Sequence, residues 1–396
     1  MTAEQRFLLL LILVGALATV LGLVSRRARL LPYPVVLAAA GIAVGLLPGG
    51  QFPRLGGNVI LLAFVPGLVF EAALTLDLAE LRRRMLPVSL LATVGVAMTV
   101  LLIGSLTHLL LGFTWASGFL LGAILAATDP IAVVTLLRRL KAPGGLAAIL
   151  EGESLFNDGT GVAVFSAVLA TILSGAPSFG DATIRFLEIT LGGTAIGLAI
   201  GFLGLGLLRF AEDAPLEILA TLVIAYGSYL AADLLHASGI VAVVVAGIVV
   251  ARYGAQLGRL HGTQLLGFWS LLAFVLNAML FIIVGAALPA WTLLPVAWLV
   301  LAAFLIMLVT RAAPVYGLLA LAAYRGPSIP WRWRHVTFWA GLRGALSVAL
   351  ALSVAGLNGV DSRVSVVAYG VVLLSLLVQG ALMAPVMRGL KIESSS

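Results

Sequence analysis

The chain has 396 residues, of which 62% are hydrophobic and only 10% charged, and its net charge is +7. Soluble domains carry about 25% charged residues, so most of this chain cannot face water. Cysteine is absent, which excludes disulfides, thiolate catalysis and cysteine-held metals.

Apolar stretches of roughly 18 to 25 residues, the length that crosses a bilayer as a helix, recur from one end to the other. The runs are continuous rather than alternating, so they predict helices and not a barrel. Thirteen spans are predicted, at 7–24, 32–48, 59–76, 86–107, 114–137, 147–173, 182–208, 215–233, 237–251, 264–288, 291–323, 335–355 and 363–387. The first is read as a retained helix rather than a cleaved signal, because its length suits a span and Arg26, Arg27 and Arg29 follow it.

The basic residues test this order. One set of alternate loops collects seventeen of them, including Arg82, Arg83, Arg84, Arg138, Arg139, Lys141, Arg332, Arg334 and Arg388, and the opposite set holds only Arg6, Arg54 and Arg363. That asymmetry predicts an outside N-terminus and a cytoplasmic C-terminus. It also accounts for the positive net charge without a nucleic-acid partner. No Gly-rich phosphate loop appears, so no nucleotide is expected and an ion gradient is the expected energy source. Few residues follow Arg388, so a single transmembrane domain over 1–396 is expected, with no soluble regulatory region after it.

An ionisable residue inside a span costs at least about 2.5–3.5 kcal/mol and is a functional candidate by default. Glu71 stands late in the third span, in FEAALTLD, beyond the reach that Asp77 and Glu80 have to the Arg82–Arg84 cluster. Asp129 is in the middle of the fifth span and Pro130 follows it. Proline disfavours helix at the residue before it, so the span is predicted to open at Thr128-Asp129. Unwound backbone at membrane depth is tolerated where it lines a cavity or is buried in protein. In the sixth span, LEGESLFNDGTG puts Glu153 and Asn157 on one helical face and Ser154 and Asp158 on the next. Ser154 and Asp158 offer oxygens to a hard cation. Glu153 with Asn157 is placed to bind a neighbour, for which Arg311 and Arg343 are the candidates. Glu151, Arg185, Glu188 and Asp233 fall near span ends and are given interfacial roles.

Four strings taken together, FEAALTLD, the mid-span TDP, LEGESLFNDGTG and GLRGAL, resemble the monovalent cation:proton antiporter family in its NhaP and sodium/proton-exchanger branch. The resemblance runs from the third span to the twelfth. It implies an all-α membrane protein with an NhaA-like fold, inverted repeats, and two unwound spans that cross, the fifth and the twelfth. It implies a homodimer in a prokaryotic cell membrane, with spans 1–3 and 8–10 for dimerisation, spans 4–6 and 11–13 as an ion-binding core, span 7 as linker, and an elevator motion between the two parts. The Na⁺ ligands it implies are Asp158, Asp129, Ser154, Thr128 (through its backbone) and Glu71. Glu153 and Asn157 take the structural role with a buried arginine, Arg311 before Arg343.

The chemistry expected of such a site is exchange, not catalysis, with no cofactor beyond the transported ions. A proton neutralises a buried carboxylate and a bound Na⁺ or Li⁺ pairs with its ionised form, so the two compete for Asp158. Relatives with an aspartate before the essential one tend to be electrogenic. This chain has Asn157 there, so electroneutral 1:1 exchange is expected. A K⁺/H⁺ antiporter of the same fold is the alternative. A cation channel is disfavoured because the carboxylates cluster at a broken helix rather than forming a ring. A membrane hydrolase is disfavoured because His108, His236, His261 and His335 lie in loops or near span ends.

Overall fold

A computed structural model describes residues 12, 14–23, 33–45, 57–129, 133–134, 136–137, 142–174, 179–254, 262–287 and 290–392. The described residues are helical or in turns and connections. Helices α1 (Val14–Leu23), α2 (Tyr33–Gly45), α3 (Gly57–Thr75) and α4 (Met85–Leu111) are followed by α5 (Trp115–Ile124), α6 (Gly144–Leu173), α7 (Gly180–Leu208) and α8 (Ala214–Leu234). Then come α9 (Gly239–Gly254), α10 (Gly262–Ala286), α11 (Ala297–Arg325), α12 (Trp331–Trp339), α13 (Ala345–Ser353) and α14 (Arg363–Gly389). Eight of the described helices are long and apolar enough to cross a bilayer. The structure describes nothing of the basic residues at 26–29 and 138–141, on which part of the charge count rests.

Local chemistry sets where the helices start and stop. Thr114, Asp213 and Ser238 accept hydrogen bonds from Ser117, Leu216 and Val241, and so cap α5, α8 and α9. Asp77 does the same for a short helix, Leu78–Arg83, between α3 and α4. Gly112, at φ +69°, closes α4 in the left-handed conformation that glycine adopts without steric cost.

The apolar sequence of the spans buries Val, Ile, Leu and Ala between helices. One large core joins α2, α4, α5, α10, α11, α13 and α14, and a second joins α3, α7, α8, α9 and α10. Outward residues such as Leu191, Leu203, Phe210, Leu219 and Val223 stay exposed, as a surface facing lipid requires. Among the described residues three helices contain a π turn: Leu91–Gly95 in α4, Val250–Gly254 ending α9 and Ser375–Gln379 in α14. In α4 the π turn presents the Ala92 carbonyl to the Thr160 hydroxyl of α6, 2.6 Å away, which fixes those two spans side by side. The sequence long helix, broken span, long helix therefore occurs twice, as α4–α5–α6 and as α11–α12/α13–α14.

Candidate functional site

The two broken spans meet in the interior. α5 ends at Ile124, and Leu125–Asp129 is irregular. α12 ends at Trp339, and Ala340–Gly344 is irregular before α13 begins. The fifth span thus opens one turn earlier than Pro130 alone predicts. The strands of the two breaks are joined directly, with the Asp129 N–H donating to the Leu342 carbonyl at 2.8 Å. They approach so closely at Gly344 that a Cβ there would overlap the Cβ and carboxylate of Asp129. Asp129 consequently lies against the N-terminus of α13, where the helix dipole favours negative charge.

Each half-helix that ends at the crossing leaves carbonyls with no helical partner, and each is met by an arginine. The fully buried Arg343 donates through Nη1 to the carbonyls of Ala126 (2.8 Å) and Ala127 (3.2 Å), just past the end of α5, and its Nε reaches Met307 Sδ. Arg311, on α11, donates through Nη2 to Thr337 O (3.0 Å) and through Nε to Phe338 O (3.3 Å), the last carbonyls of α12. The same Nη2 pairs with Glu153 Oε1 at 3.0 Å. Glu153 and Arg311 are 3% and 5% exposed, so this charge pair is shielded from water and both its members are further held by the fold.

Asn157 does not share that arginine with Glu153. Its Oδ1 accepts the Thr128 N–H (3.2 Å), and its Nδ2 donates to Thr128 Oγ1 (2.7 Å). The break strips the Thr128 N–H of a helical partner, and a buried N–H must find one; the amide supplies it. Thr128 Oγ1 lies 3.0 Å from Ser154 Oγ, so Thr128, Ser154 and Asn157 form one buried cluster. The half-buried Asp158 follows Asn157 on α6 as Asp129 follows Thr128 at the break, so the hydrogen-bonded pair Thr128–Asn157 brings the two carboxylates to the same crossing. Among the described residues no group of three or more His, Asp or Glu converges as a metal cage. The oxygens gathered here are mixed: two carboxylates, two hydroxyls and an unwound backbone.

Residues 12–389 match the family described as sodium/hydrogen exchanger, transmembrane. The chain belongs to that family. Among curated sodium/hydrogen exchanger relatives, it is 36% identical over 394 residues to the Na⁺/H⁺ antiporter ApNhaP of Aphanothece halophytica, an alignment covering 98% of this chain and 74% of that protein. It is 35% identical to the Na⁺/H⁺ antiporter NhaP of Pseudomonas aeruginosa, covering 94% of both chains. Its fold matches the sodium proton antiporter MjNhaP1 of Methanocaldococcus jannaschii at pH 8, with a TM-score of 0.79 at 20% identity over 97% of this chain and 99% of that one.

Other acids of this exchanger-family chain fall elsewhere. Glu71 is half-buried on α3, a helix that packs on α9 and α10, meets α13 through its first turns and touches α6 along a shorter line. Arg185, Glu188 and Asp233 are exposed, and Glu151 is half-buried. Glu217, Ser375 and Gln379 are among the buried polar residues that a search for mid-span charges misses. Glu217, 1% exposed, stands in the first turn of α8, where an acid so close to Pro215 reads as a helix start. Ser375 and Gln379, both fully buried, are uncharged; their only signal is a polar pair four residues apart in an otherwise apolar span.

Proposed function

We propose that this chain is a secondary active antiporter that exchanges Na⁺ or Li⁺ for H⁺. The observation that carries the reading is the crossing of two broken spans at which Thr128, next to Asp129, is hydrogen-bonded to Ser154 and to Asn157, next to Asp158, so that two carboxylates and two hydroxyls gather there. Relatives that align over nearly the whole chain bear the name Na⁺/H⁺ antiporter, and the site offers the hard oxygen ligands that alkali cations take. Na⁺ would be held by Asp158 and Asp129 with Ser154, the Thr128 backbone and Glu71. A proton and a cation compete for Asp158, and only a loaded site crosses.

Charge counting supports an electroneutral cycle. Around the crossing, Asp129, Asp158 and Glu153 face Arg311 and Arg343, which leaves one negative charge. One Na⁺ or one H⁺ cancels it, so the two loaded states are electrically alike. Asn157 adds nothing to that count, because its amide is neutral and does not titrate; Thr128 engages both of its ends. The moving core is read as α4–α6 with α11–α14, sliding against a dimerisation part of α1–α3 and α8–α10 in a homodimer, with α7 as the linker and the C-terminus cytoplasmic.

The test uses proteoliposomes with an imposed pH gradient, challenged with Na⁺, Li⁺ and K⁺ in turn. Na⁺ or Li⁺ should release the gradient in wild type and not in Asp158→Asn. A response to K⁺ alone would replace the substrate, and an undiminished response in D158N would remove Asp158 from its role.

A further inference from the structure

The second break is held by a polar pair that lies outside the ion site. The Arg343 backbone N–H donates to Ser375 Oγ (3.0 Å), and Ser375 Oγ donates to Gln379 Oε1 (2.6 Å). Both side chains are fully buried, in the π turn of α14, and π turns recur at functional positions in helices. A serine in a helix ordinarily returns its single proton to a carbonyl of its own preceding turn. Here Gln379 takes that proton, which fixes the hydroxyl with a lone pair free for Arg343. The hydroxyl is thus a one-way acceptor aimed at the break.

The first break is held in the same manner. There the Thr128 N–H is received by Asn157 Oδ1, a side-chain oxygen from the helix that follows. In each half of the molecule, an N–H stripped of its helical partner is caught by the next long helix. The two catches bear on the same carboxylate. Thr128 adjoins Asp129 in sequence, while Arg343 sits between Leu342, whose carbonyl accepts the Asp129 N–H, and Gly344, against which the Asp129 carboxylate rests. A further mark of a constrained place is that Gln379 Nε2, Arg343 Nη2 and Ser347 Oγ are buried and meet no hydrogen-bond partner among the described residues. A buried polar atom left unpaired is costly.

We propose that Ser375 and Gln379 are positioning residues for transport: they set the backbone of Leu342–Gly344 and, through it, the place of Asp129 in the cation site. This rests on the antiporter reading and assigns neither residue to ion contact.

The experiment compares wild type with Ser375→Ala, Ser375→Thr and Gln379→Met in proteoliposomes, measuring initial rates against Na⁺ concentration and pH. Hydrogen exchange of the 340–346 amides is measured on the same proteins. S375A should raise the apparent KM for Na⁺ roughly three- to tenfold, the scale of one hydrogen bond, shift the pH profile, and speed exchange at 340–346. S375T keeps the hydroxyl and should restore both readouts. Q379M preserves length and the Ser375 hydroxyl, so it answers even where S375A yields no folded protein, and a smaller change in the same direction is expected. Wild-type KM, pH profile and exchange in S375A and Q379M would overturn the proposal, whatever their melting temperatures. Failure of the antiporter reading shows separately, as a wild type that moves no protons for any cation; the exchange data then still decide whether Ser375 holds the break.

Discussion

Arg311 meets three acceptors at once, the Glu153 carboxylate and the carbonyls of Thr337 and Phe338. A planar guanidinium reaches such a set from two separate nitrogens, Nε and Nη2, whereas a lysine ammonium donates from a single point. Arg311→Ala strands a buried carboxylate, a loss of about 3–5 kcal/mol, and should lower the melting temperature followed by tryptophan fluorescence in detergent. R311K should recover only part of it. A melting temperature equal to wild type in R311A would mean that Glu153 finds another counter-charge. At this scale the sequence spoke clearly about residue type and less clearly about partners. The four-residue spacing puts Glu153 and Asn157 on one face, yet Glu153 turns to α11 and Asn157 to the break, because the face meets two elements that lie far off in sequence.

At the scale of elements, the breaks differ in how well they announce themselves. The fifth span carries its proline, and the mid-span TDP is a legible stop. The twelfth has GLRGAL and no proline, and its glycines matter because other chain segments occupy the space a side chain would need. A methyl at Gly344 meets Asp129, and one at Gly341 meets the Arg311 guanidinium. Overpacking of this kind costs about 1–3 kcal/mol. Gly344→Ala should therefore insert normally but lose most of its Na⁺-driven dequenching in proteoliposomes, and wild-type rates would show that Asp129 has room to move. A second contact between elements joins the α4–α5 turn to the start of α14. Arg363 pairs with Asp361 at 2.6 Å, donates to the Gly112 carbonyl and covers the Phe113 ring at 4.6 Å. Hydrogen bonds from Arg363 hold the Asp361 carboxyl below its usual 3.8. A depressed value means that the stabilisation is complete above that pH and is lost as pH falls through the lowered one. Asp361→Asn should accordingly lower the melting temperature slightly at neutrality and change it little in acid, so that the acid limb flattens; a neutral melting temperature and an acid limb both equal to wild type would show the pair too exposed to contribute.

For the whole molecule, the fate of net charge during a cycle is the property to measure. Three carboxylates against two arginines predict loaded states of equal charge with Na⁺ or with H⁺. Setting the membrane potential of proteoliposomes with K⁺ and valinomycin should then leave the direction and rate of Na⁺-driven proton movement unchanged. A current that reverses with voltage would require a further titrating group, and the buried Glu217 and half-buried Glu71 are the first to examine.

The sequence by itself determined that this chain lives in a membrane, that it crosses it as helices, and which few residues are too costly to sit there without purpose. Those follow from composition and from periodicity along one helix, which are local properties. It also carried the family, because FEAALTLD, TDP, LEGESLFNDGTG and GLRGAL stand in order along the chain. Only the tertiary structure decided that each arginine closes the end of a broken helix, that Asn157 is committed to Thr128, and that Ser375 and Gln379 reach the second break. Those assignments depend on which segments cross, and the crossing joins positions some two hundred residues apart, as Arg343 meets Ala126. An unpaired carbonyl or N–H at a break has no identity in the sequence; it takes the partner that the packing of distant helices brings within 3 Å, the distance at which the hydrogen bond forms.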